Sequence, residues 1–125
     1  GVEGLVKLLE KLSGSGRASF LAVLKRMGPP SKGLLSHPID GWTLTLDIPM
    51  RNDLVPFLHA CDELLLQYGA RLYMAKDVCA RSDVFAAMYP RLAEFQAIRR
   101  RLDPEGRLSS RLARRCGIVE GDAEP

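Results

Sequence analysis

Hydrophobic and polar positions change their period several times along the chain. In residues 2–12, Val2, Leu5, Val6, Leu9 and Leu12 recur at helical spacing with Lys7, Glu10 and Lys11 opposite, which predicts an amphipathic helix. The Ser-Gly-Ser-Gly run at 13–16 ends it. Residues 17–28 read as a strand stopped by Gly28, Pro29 and Pro30, with Leu21, Val23, Lys25 and Met27 on one face. A loop rich in Pro, Gly and Ser then leads to residues 41–49, where the period of two is cleanest. Trp42, Leu44, Leu46 and Ile48 point one way, and Thr43, Thr45 and Asp47 the other. Asn52 or Asp53 is placed to cap a helix that tolerates Pro56 in its first turn and carries Leu54, Leu58, Cys61, Leu65 and Tyr68 to a stop at Gly69. The run Ala-Arg-Leu-Tyr-Met at 70–74 predicts a short third strand.

Beyond residue 80 the pattern is helical. Ser82 caps a short helix, Pro90 opens another with Leu92, Phe95 and Ile98 inward, and Ser109 caps a last one before Gly117. The tail after Ile118 is expected to fray. The order strand, strand, helix, strand, then helices predicts an α+β fold, an antiparallel sheet with helices on one face followed by C-terminal helices.

Composition narrows the functional classes. A chain of 125 residues, 46% apolar, supports one modest core. Its first residues lack a secretory signal pattern and no apolar run nears the ~20 residues of a membrane span, so a cytoplasmic protein, at most peripheral to a membrane, is expected. Cys61, Cys79 and Cys116 form no CxxC pair, and His37 and His59 have no ligand partners at helical spacing, so neither a disulfide framework nor a metal site is indicated. Phosphate-binding glycine motifs are absent. The net charge is +3, with eight arginines between 91 and 115. No aromatic residues interleave with them, which favours a solvated helix face over a nucleic-acid footprint.

Two groups of residues carry candidate chemistry. Lys76 follows the 70–74 run, with Tyr73 and Asp77 nearby; it is either a solvated surface residue, an ammonium that stabilises developing negative charge, or, deprotonated by burial, a base. Thr43, Thr45 and Asp47, with Lys25 on a neighbouring strand, either face water or form a hydrogen-bonding wall for a hydroxyl-rich ligand such as a sugar.

The segments FLAVLKRMG, GWTLTLDIP, ARLYMAKD and MYPRLAEFQAIRRRLDPEGRLSSRLARR, in that order, resemble the C-terminal part of FAD-dependent sugar oxidoreductases of the vanillyl-alcohol-oxidase superfamily, in the branch of polyprenylphosphoryl-ribose and aldonolactone oxidases. The resemblance runs from about residue 2 to 116. It implies that residues 1–71 complete a substrate-binding cap and that residues 72–125 return to an FAD-binding domain supplied by a missing N-terminal half. It also implies hydride transfer from a sugar or aldonolactone carbinol to flavin, with Lys76 and Tyr73 at the catalytic centre, Lys76 also facing the cofactor, and Lys25, Thr43 and Thr45 lining the substrate pocket. The substrate class includes polyprenyl-phosphate sugars. The competing expectation is a non-enzymatic binding or assembly module that self-associates through exposed apolar faces.

Overall fold

The computed structural model describes residues 2–17 and 19–119. The fold is α+β. Its elements are α1 (Val2–Gly14), β1 (Ala22–Met27), β2 (Gly41–Leu46), α2 (Leu54–Leu66), α3 (Ser82–Met88), α4 (Leu92–Leu102) and α5 (Arg111–Arg115). The strands pair antiparallel, with Val23 opposite Thr45, Lys25 opposite Thr43 and Arg26 opposite Trp42. Directly opposed residues share a face, so this register brings Lys25 to the side on which alternation already places Thr43 and Thr45. Asp47 N–H donates to Leu21 O (3.2 Å) and Ser19 Oγ donates to Asp47 O (3.0 Å), continuing the pairing past β1.

A two-stranded ribbon is marginal alone. Here α1 packs against both β2 and α2, covering part of it. The first helix forms as predicted, but the stripe it turns inward is rotated from the one read from sequence. Val2, Val6 and Leu9 stay exposed, while Gly4 and Leu12 are buried. The cause is close approach to the turn that ends α2: a Cβ on Gly4 would lie 2.8 Å from Tyr68 Cβ, so α1 meets that turn where it has no side chain. Around that point Leu5, Leu8 and Leu12 follow on the inner face.

Asp53 occupies the N-cap position of α2 without a side-chain cap bond; its carboxylate instead pairs with the Arg17 guanidinium. The helix stops where expected. Gly69 takes φ +64°, and the N–H groups of Gly69 and Ala70 donate to Leu66 O (3.1 Å) and Leu65 O (3.2 Å).

The predicted third strand does not form. Residues 70–73 form no regular structure and run into a turn in which Lys76 N–H and Asp77 N–H both donate to Tyr73 O (2.9 and 3.2 Å). Their apolar pattern has another origin: Leu72 and Met74 pack on the helical core, and the Leu72 carbonyl accepts from the Tyr89 hydroxyl at 2.6 Å. A run this short cannot be assigned from periodicity alone.

The core lies in the C-terminal helices, where Val84, Phe85, Met88, Tyr89, Leu92 and Cys116 cluster and Leu65, Leu66 and Leu112 pack against them. Three local expectations shift here. Arg81, not Ser82, holds the N-cap position of α3; Ser110 rather than Ser109 caps α5, accepting from Ala113 N–H at 3.1 Å; and Ile98, expected inward, is 42% exposed. Val119 is buried, and the rest of the tail lies outside the described residues. Among those residues no helix is long and apolar enough to cross a membrane.

Candidate functional site

Between β2, α1, α2 and the 70–79 segment lies an open groove of about 550 Å³. Leu5, Leu8, Leu44, Leu46, Leu58 and Leu65 give it a largely apolar lining. Such grooves bind ligands when a few polar groups converge on them. Four of the five expected site residues do: Thr43 and Thr45 from β2, and Tyr73 and Lys76 from the turn after residue 72. Lys25 stands outside the lining, exposed on the outer strand opposite Thr43.

None of these four polar side chains is spent on the fold. Among the described residues the hydroxyls of Thr43, Thr45 and Tyr73 and the ammonium of Lys76 have no hydrogen bond or ion pair. Tyr73 is held through its ring, which lies 4.9 Å from that of His37 at 43°. Tyr73 and Lys76 are both exposed, and among the described residues neither the Tyr73 hydroxyl nor the Lys76 amine has a protein partner.

Asp77, the acid expected beside Lys76, is occupied elsewhere. Its carboxylate accepts from Ala80 N–H (3.0 Å), from Cys79 N–H (3.3 Å) and from Arg115 Nη1 (2.7 Å). The acid therefore organises the backbone after Lys76 and ties it to α5, which fixes the turn that presents the lysine.

The lining includes two titratable groups not expected at the site: Asp62, and His37, weighed above only as a metal ligand. His37 has an Nδ1 sealed from solvent with no partner, and burial, aided by the Arg71 charge, pushes its pKa below the usual histidine range. Asp62 is 5% exposed, and burial, reinforced by Asp77, raises its carboxyl to about 6. A signal for Asp62 was present: Leu58, Leu65 and Leu66 lie one turn to either side of it, so a helix that buries them also buries the acid. His37 sits in a loop with no periodicity to flag it.

The three cysteines are free thiols. Burial, then Asp77 and Asp62, pushes Cys79 up to about 11, and burial also raises Cys61 and Cys116. Protonated thiols are poor nucleophiles, so none belongs to the reactive set. Among the described residues no group of His, Cys, Asp and Glu could hold a metal ion.

Residues 41–116, from the start of β2 through the last core residue of the C-terminal helices, match the family of D-arabinono-1,4-lactone oxidases. The chain belongs to that family. The match takes in Thr43, Thr45, Tyr73 and Lys76, and so most of the groove. Among curated proteins, the decaprenylphosphoryl-β-D-ribose oxidase of Mycolicibacterium smegmatis is 41% identical over 118 residues, covering 94% of this chain and 26% of that protein. An uncharacterized protein in the mprA 5' region of Streptomyces coelicolor is 37% identical over 120 residues, again 94% of this chain and 33% of that protein. The lactone-oxidase family member described here therefore spans between a quarter and a third of the length of these relatives.

Proposed function

We propose that this chain is the C-terminal part of an FAD-dependent oxidoreductase that oxidises a hydroxyl of a sugar or aldonolactone. The reading rests on one observation above the family match: among the described residues, four polar side chains with no partner of their own line one largely apolar groove. Residues 1–71 would complete the substrate cap and residues 72–125 would pack on a flavin-binding domain. With FAD in place, the chemistry supplied is acceptance of hydride from the carbinol carbon.

The donor set suits that group. Lys76 and Tyr73 would offer a cation and a hydrogen-bond donor at the edge of a bound isoalloxazine ring. Thr43 and Thr45 accept and donate hydrogen bonds to ring hydroxyls and so orient the carbon to be oxidised. The Lys76 ammonium would stabilise negative charge developing on the carbinol oxygen. Lys25 sits where it would meet a more distant part of the substrate, and a phosphate is the natural partner for an exposed ammonium. The leucine lining would accommodate an apolar tail, which supports including polyprenyl-phosphate sugars in the proposed substrate class.

Coexpression with the part of the Mycolicibacterium smegmatis relative outside the matched region tests this reading. A yellow complex that reduces its flavin on addition of a sugar or lactone substrate is expected. A colourless, inert mixture of two folded partners overturns it.

A further inference from the structure

Among the described residues, Asp62 is the charged side chain that the fold buries, and it has no hydrogen bond or ion pair. The groups around it are engaged elsewhere. Arg81 is held by Glu63 (3.1 Å) and Asp83 (3.1 Å), His59 Nε2 lies 2.9 Å from Cys79 O, and Asp77 is bound by Arg115. Glu63 and Asp77 oppose its charge, while His59 and Arg81 favour it without contacting it. The single side-chain atom that is both sealed and unpartnered among these residues is His37 Nδ1, so neither Asp62 oxygen is closed off, and the residue borders the groove. A carboxylate largely withdrawn from water and given no donor is costly, so its presence calls for an explanation, and a donor on a ligand in the groove supplies one.

We propose that Asp62 is a hydroxyl-recognition residue of the groove, its carboxylate accepting a hydrogen bond from a ring hydroxyl of the neutral sugar or aldonolactone moiety. The inference rests on the sugar-oxidase reading and adds an orientation to it. An ionised carboxylate only accepts, so the group meeting it is a donor. An anionic group is disfavoured beside Asp62 itself, whose charge no contacting cation offsets. A phosphate-bearing substrate would therefore place its hydroxyl-rich ring toward α2 and its phosphate away from it.

The test uses the whole chain, labelled for carboxyl-carbon NMR and titrated with methyl β-D-ribofuranoside, with inorganic phosphate as the contrasting probe. The sugar is expected to move the Asp62 resonance saturably and to lower its titration midpoint, because a donated hydroxyl favours the ionised form. Phosphate is expected to leave it unmoved. Asp62→Asn should weaken the sugar response of the Thr43 and Thr45 amides at least about tenfold. Asp62→Leu should do the same while keeping the native spectrum elsewhere. If those amides respond equally in wild type and both variants while Asp62 stays still, the proposal fails and the oxidase reading stands. A groove silent to the sugar also overturns it, and flavin binding in the coexpressed complex then judges the oxidase reading separately.

Discussion

Burying Asp62 without a donor has a thermodynamic consequence that pH reveals. Its carboxyl titrates near 3.8 in the unfolded chain and at about 6 in the fold. Each unit of difference corresponds to about 1.4 kcal/mol, so the full shift sets an upper bound of about 3 kcal/mol, and solvent reaching the groove reduces this to about 2 kcal/mol. The folded state holds its proton more tightly than the unfolded state does. Stability from this residue is therefore highest below the unfolded value, falls as pH rises through the window up to about 6, and is flat above it. Asp62→Asn keeps the shape and removes the ionisation. Urea unfolding of both proteins, followed by far-UV circular dichroism between pH 4 and 7.5, isolates the effect as a difference in which His59, Glu63, Asp77 and Arg81 largely cancel. Relative to the variant, the wild type should lose about 2 kcal/mol between the ends of that range. A difference that does not change with pH would mean that Asp62 is solvated in the fold and would refute the reasoning.

Other substitutions probe the groove and its supports. Arg115→Ala leaves the 8% exposed Asp77 side chain without its cation and should cost about 3 kcal/mol in chemical denaturation; a loss under 0.5 kcal/mol would remove that pair as the anchor of the turn. Gly4→Ala drives a methyl against Tyr68 and should lower stability by about 1–3 kcal/mol, whereas an unchanged melting temperature would show that α1 is not seated on α2 there. Phe85→Ala, at a position 1% exposed, should cost about 3–5 kcal/mol by the same assay, and a loss below 1 kcal/mol would displace the core from α3. Lys76→Ala should change folding by less than about 0.5 kcal/mol, since the amine has no partner to lose, yet slow flavin reduction in the coexpressed complex by about 10²-fold; equal rates would take the lysine out of the reaction.

Much of this protein was legible in its amino-acid order. The alternation of Trp42, Thr43, Leu44, Thr45 and Leu46 determined both the strand and the shared face of the two threonines, because side-chain direction in a strand is a local property of the backbone. The helices and the stop at Gly69 were equally local, set by periodicity and by a residue free to take positive φ. Tertiary structure decided what those elements meet. Residues 70–74 carried a strand's pattern but found no edge to pair with, and Leu72 and Met74 were apolar because helices α3 to α5 cover them. Gly4, invisible in an apolar stripe, set the rotation of α1 by letting Tyr68 approach. The acid next to Lys76 was captured by Arg115, 38 residues later, leaving the lysine without a partner among the described residues, and Asp62, buried in α2, feels the charges of Asp77 and Arg81 from beyond that helix. Contacts between residues far apart in sequence have no local signature, and the charges and packing that define this groove are contacts of that kind.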